Sequence, residues 1–224
     1  MEFNPNDYFK TEFAFKTNEE LICAIHGLKN EMEQLKNILD HPYYEDTDSI
    51  NPDHPNYDYR LSYIRTGLKL AKEILNEQGG TYEPTQEELR AQDFEDNIPF
   101  INKIVLKFTT LVHFDQTCTA TLKDDNFYLK IDVSFMPKSS DSADNFYDVV
   151  SKQEFLKTIS NLHIGEWRTN YSLSRFGYPD CEDSQWDLEI YFSNNHLPVR
   201  IHGAGAKPYD FYGLESIFNI ERDN

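Results

Sequence analysis

The stretch from Trp186 to Phe218, WDLEIYFSNNHLPVRIHGAGAKPYDFYGLESIF, constrains the fold more than any other part of the chain. Trp186, Leu188, Ile190 and Phe192 alternate with Asp187, Glu189 and Tyr191. A period of two marks a strand with one buried and one wet face. Ser193-Asn194-Asn195-His196 reads as a turn, since asparagine tolerates left-handed backbone and bonds its own main chain. Val199-Arg200-Ile201-His202 resumes the alternation, so the two runs predict a hairpin, with Pro198 at the strand start where its missing N–H is tolerated. Gly203 and Gly205 free the backbone to bend, Pro208 ends the loop, and Phe211, Leu214, Ile217 and Phe218 fall at helical spacing.

The rest of the chain divides by character. Residues 1–16 are aromatic-rich (Phe3, Tyr8, Phe9, Phe13, Phe15) and read as an arm packed on the body. Thr17 and Glu20 form a capping box, and Leu21, Ile22, Ile25, Leu28, Met32, Leu35, Ile38 and Leu39 follow at steps of three and four. That predicts a helix ending near Asp40, before Pro42. Residues 40–58 read as a loop with three prolines, six acids and no lysine or arginine. A second helix is expected from about Tyr57 to Asn76, with Leu61, Ile64, Leu68, Ala71 and Leu75 as its stripe and Gly79-Gly80 as its stop. The two helices read as an antiparallel hairpin. Thr85 and Glu88 open a short acidic helix running to about Phe94.

From Ile98 the signal turns to strands. Residues 104–108, 117–122 and 127–135 predict a three-stranded antiparallel meander, with a turn at Asp124-Asp125-Asn126. PKSSDSAD, from Pro137, is a polar loop. A capping box at Ser151 and Glu154 starts a helix carrying Phe155, Leu156, Ile159 and Leu162, which Gly165 is expected to end. A further strand is expected within Glu166 to Tyr171. The reading is α+β: an acidic, mostly helical region over residues 1–97, then a domain over residues 98–224 with an antiparallel sheet of about six strands and two packed helices.

Charge decides which functions to weigh. The net charge is −18, with 21 acids against 9 bases in residues 1–100 and 18 against 12 in residues 101–224. A direct nucleic-acid binder normally carries a basic stripe, so this balance weighs against DNA or RNA as ligand. Acidity serves solubility, and it also suits an acidic face that docks on a basic protein surface. The candidate partner-binding residues are Glu45, Asp46, Asp48, Asp53 and Asp58 in the loop, with Glu87, Glu88, Asp93, Glu95 and Asp96 on the acidic helix. No run approaches 18 apolar residues, which argues against a membrane span. The N-terminus has no basic end followed by an apolar run, so no secretory signal is read there. Cys23, Cys118 and Cys181 are odd in number and far apart, which fits a reducing cytoplasm and neither a disulfide framework nor structural zinc.

The catalytic signatures are weak. No GxSxG, Walker loop or GxGxxG occurs, so no cofactor, metal or catalytic residue is expected. Gly203-Ala204-Gly205-Ala206 lies between a strand and a helix but lacks the Lys-Ser/Thr of a phosphate cradle. The seven histidines form no HxH or HExxH. His196 and His202 share the hairpin, and with Cys181 or Asp187 they are the alternative: an improvised metal site or an enzyme built from scattered residues. Cys118, in a threonine-rich strand, reads as a buried small residue rather than a nucleophile. A third reading, a structural or assembly subunit, would use the helix at 18–39, whose stripe is short for a coiled coil.

Gly165-Glu166-Trp167, Tyr171, Gln185 to Ile190, Val199 to Gly203, Ala206, Pro208, Phe211 and Leu214 together carry a resemblance. On these residues the C-terminal half resembles a family of uncharacterised proteins of Firmicutes and mobile-element neighbourhoods. That family follows its last strand with glycine, a small residue, asparagine, alanine, an aromatic and proline. Here the run is Gly203-Ala204-Gly205-Ala206-Lys207-Pro208, with Gly205 for the asparagine and Lys207 for the aromatic. The resemblance implies a shared fold over about residues 98–220 and no particular activity. With the charge, it directs the expectation to a non-enzymatic acidic inhibitor of a basic nuclease or toxin. The setting would be anti-defence (anti-CRISPR, for instance) or toxin immunity, including nucleic-acid mimicry.

Overall fold

The computed structural model describes residues 4–44, 57–110, 115–133, 148–179 and 184–220. The chain packs as two units, residues 1–84 and 85–224.

The first unit is three helices: α1 (Pro5–Phe13), α2 (Asn18–Leu39) and α3 (Tyr57–Glu77). Pro5 supplies a preset φ in the first turn of α1, and the Asn4 side chain caps it by accepting from the Asn6 N–H at 3.0 Å. The aromatic arm is therefore a helix, and its Phe9 and Phe13 are buried with Leu21, Ile25, Leu70, Ala71 and Leu75. Gly67 makes room for Phe9, because a Cβ there would stand 2.6 Å from Phe9 Cζ. Thr17 caps α2 as expected: its N–H donates to Glu20 at 2.8 Å, and its hydroxyl accepts from the Glu20 N–H at 3.3 Å. That backbone donor holds the Glu20 carboxyl below its usual range. Asp40 is the buried C-cap of α2.

Helices α2 and α3 run antiparallel. Arg60 at the start of α3 donates from Nε to Glu31 at 2.6 Å in the middle of α2, while Gly80 after α3 lies against Asn18 at the start of α2. The α3 stop works as the two glycines predict. Gly79 takes φ +74°, its N–H donates to Asn76 O, and the Gly80 N–H donates to Leu75 O, the paired bonds of a Schellman cap.

The second unit is a seven-stranded sheet with helices on one face. Helix α4 (Gln86–Asn97) leads through a 3₁₀ turn into β1 (Ile101–Thr110), β2 (Gln116–Lys123), β3 (Asn126–Val133) and β4 (Asp148–Ser151). Then come α5 (Lys152–Asn161), β5 (Asn170–Ser172), β6 (Ser184–Phe192), β7 (Val199–Ala204) and α6 (Phe211–Ile217). The sheet order is β4-β3-β2-β1-β6-β7-β5, with every pair antiparallel except β5 and β7. The fold is α+β, as the sequence pattern indicates. Asp124 and Asp125 both take positive φ between the paired Lys123 and Asn126, the geometry of a type I′ two-residue hairpin.

Inward side chains from six strands (among them Ile104, Leu106, Cys118, Phe127, Leu129, Tyr171, Leu188, Ile190 and Ile201) meet Phe94 of α4 with Ile98 just after it, Phe155 and Ile159 of α5, and Phe211 and Leu214 of α6. This is why α4, grouped with the helical region in a sequence split near residue 97, packs with the sheet instead: its two apolar anchors are core residues of the second unit. Both tryptophans are buried. Trp186 Nε1 donates to Ala206 O at 2.9 Å, whereas Trp167 Nε1 is buried with no hydrogen-bond partner among the described residues.

One local expectation fails. Helix α5 ends before Gly165, where His163 takes φ +49°, and Gly165 sits in the following 3₁₀ turn. Its missing Cβ serves close packing, since one would come within 2.8 Å of Ala91 O.

Candidate partner-binding surface

Helix α4 carries acids on a scaffold that fixes their direction. Thr85 and Glu88 close its capping box, with Thr85 N–H donating to Glu88 at 2.8 Å. Phe94 and Ile98 anchor one side of it in the core. Of the acids singled out here, Glu87, Asp93 and Asp96 are exposed. Glu88 is used by the cap, and Glu95 is half-buried and accepts from Ser160 at 3.4 Å. Asp58 lies in the first turn of α3. Glu45, Asp46, Asp48 and Asp53 lie outside the described residues, as do Cys181 and the Pro137 loop.

The structure adds a neighbour that the sequence did not reveal. The turn between β6 and β7 is tied to α4 and to the 3₁₀ turn after it. Ser193 N–H donates to Phe100 O at 2.8 Å, and Asn194 Nδ2 donates to Asn97 Oδ1 at 2.8 Å. His196 Nε2 meets Asp93 Oδ2 at 2.8 Å, while its Nδ1 meets Leu197 O at 2.7 Å. The ring edge also rests on Phe192, 4.8 Å between centroids. Around these links stand three exposed apolar side chains, Leu89 (46% exposed), Phe100 (43%) and Leu197 (81%). Leu89 precedes Asp93 by one turn, Phe100 follows Asn97 in the 3₁₀ turn, and Leu197 follows His196. Leu89 lies on the side of α4 away from Phe94, and Phe100 is exposed beyond the helix end. That spacing was readable, as was the oddity of a leucine beside Pro198 at a turn tip; the bridge from the turn to α4 was not.

His196 and His202 are not brought together. His202 lies opposite Asp187 on β6, with Nδ1 2.9 Å from Asp187 Oδ1, while His196 faces α4. Among the described residues no three His, Cys, Asp or Glu side chains cluster as metal ligands would. No helix among them is long and apolar enough to cross a membrane. The open face of the sheet is a mixed lattice of charge. Tyr191 Oη donates to Glu189 at 2.6 Å, and Arg200 Nε donates to the same carboxylate at 3.3 Å. The Tyr191 bond, first among the causes, holds the Glu189 carboxyl below its usual range.

Cys118 is buried, and burial pushes its thiol up to about 12, whereas Cys23 is exposed. A variant carrying Cys23→Ser and Cys181→Ser, with Cys118 as its only thiol, is therefore expected to resist a disulfide-exchange reagent at neutral pH until denaturant is added. Prompt reaction of the folded variant would contradict the burial.

No family model, curated protein or solved structure matches this chain.

Proposed function

We propose that this protein is a non-enzymatic binding protein whose acidic surface docks on, and neutralises, a basic protein partner. The carrying observation is the exposed acids of a capped and core-anchored α4: Asp93 and Asp96 on the side away from Phe94, and Glu87 in the first turn. The net charge of −18 adds long-range attraction for a cationic surface. The resemblance of the C-terminal half to mobile-element proteins supports an anti-defence or immunity setting, in which a basic nuclease or toxin is the natural target. Complementary charge would speed encounter and select the partner more than it would raise affinity.

The test is a capture experiment in cytoplasmic lysate at low and high salt, followed by assay of the captured protein's activity. The expected result is a basic protein held at low salt, released at high salt and inhibited at one-to-one stoichiometry. The Glu87→Gln, Asp96→Asn double variant is expected to associate about 2- to 10-fold more slowly at low salt, the difference vanishing at high salt. Neutralising Asp46, Asp48, Asp53 and Asp58 to Asn tests the loop in the same way. Unchanged association in both sets would remove the acidic-docking reading.

A further inference from the structure

We propose that the docking surface is the exposed stripe of α4 flanked by Leu197, and that its occupant is a basic amphipathic helix of the partner protein. This rests on the acidic-docking reading and specifies what sits there. Leu89, Asp93 and Asp96 are exposed on α4 at i, i+4 and i+7, and Phe100 is exposed in the 3₁₀ turn beyond the helix end. Glu87, seven residues before Phe94 and so in line with it, is exposed in the first turn. A helix laid along this side, with leucines on one stripe and lysine or arginine on either side, complements the exposed Leu89 and the two carboxylates in apolar character and in charge.

Leu197 gives the stripe a wall. It is the most exposed of the three, yet its backbone is not free to move away. Asn195 holds φ +63°, Pro198 fixes the following φ, and the Ser193, Asn194 and His196 bonds pin the turn to Phe100, Asn97 and Asp93. An apolar side chain held ready by polar links loses little freedom when covered, which is what an anchoring contact requires. The Asp93–His196 bond is then a positioning contact: it sets where Leu197 stands and does not itself meet the partner's apolar stripe.

The experiment uses the full chain and two synthetic peptides of identical composition. One carries leucine and lysine in an amphipathic helical pattern. In the other the same residues are scrambled so that the stripe is lost. The wild-type protein is expected to bind the patterned peptide at least about tenfold more tightly than the scrambled one. Leu197→Asp is expected to erase that advantage while leaving the scrambled peptide bound as before or slightly better, because it adds an acid. Leu197 is exposed, so the substitution spares the core, and an unchanged circular dichroism melt confirms it. Equal binding of both peptides to the wild type, or a Leu197→Asp variant that keeps the preference, would overturn the inference and leave the acidic-docking reading in place. If neither peptide binds at low salt, that reading falls and this one with it.

Discussion

Gly203→Ala is expected to unfold the sheet unit at ambient temperature or bring it to the edge of unfolding. A Cβ at Gly203 would overlap the Trp186 indole at Nε1 and Cε2. Neither side can yield. Gly203 is in β7, held by β6 on one side and β5 on the other, and its partner in the β6 register is Trp186 itself. The indole is packed by Phe211 at 4.5 Å and Tyr171 at 5.9 Å between centroids. Moving it also breaks the buried bond from Nε1 to Ala206 O. Overpacking and an orphaned buried bond together cost about 3–6 kcal/mol, comparable with the whole stability of many domains. Both tryptophans lie in this unit, so tryptophan fluorescence during urea unfolding reads it directly. An unfolding free energy within about 1 kcal/mol of wild type would show that Trp186 does not cover Gly203.

Phe9→Ala is expected to cost the helical unit about 3–5 kcal/mol. Phe9 sits 4.5 Å from the Tyr63 ring and 5.2 Å from Phe13, directly over Gly67. Truncation leaves a hole that Gly67 has no side chain to fill. The unit holds no tryptophan, so the loss is followed by far-UV ellipticity and tyrosine near-UV signal, while tryptophan fluorescence reports the sheet unit separately. A small effect would mean that α1 adds little to the packing of α2 and α3.

These two sites also mark how far the sequence could be read. The helix starts at Thr17 and Thr85 and the stop at Gly79-Gly80 are visible because capping is a local bargain between neighbours in sequence. The β6–β7 hairpin and the β1–β3 meander follow from alternation for the same reason. The α5 stop was misplaced because glycine is the usual left-handed residue, whereas here His163 takes that conformation and Gly165 is spent on contact with Ala91. The allegiance of α4 was hidden because Phe94 stands in an acidic helix and Ile98 just past its end, and only the tertiary structure shows that they enter the sheet core. The tie of the turn to α4 joins Asp93 to His196, about a hundred residues on, and no local pattern announces such a pair.

The position of β1 has a consequence for synthesis. It is the middle strand of the sheet, paired with β2 across a short connection and with β6 so that Ile104 stands opposite Ile190. A ribosome delivers the first of these partners almost at once and the second more than eighty residues later, roughly 4–17 s at ordinary elongation rates. For that interval the nascent chain holds the β1–β3 meander with one backbone edge unsatisfied and Ile104, Leu106 and Phe108 without the strand that flanks them in the finished sheet. A translational pause between β3 and β6 would lengthen that exposure.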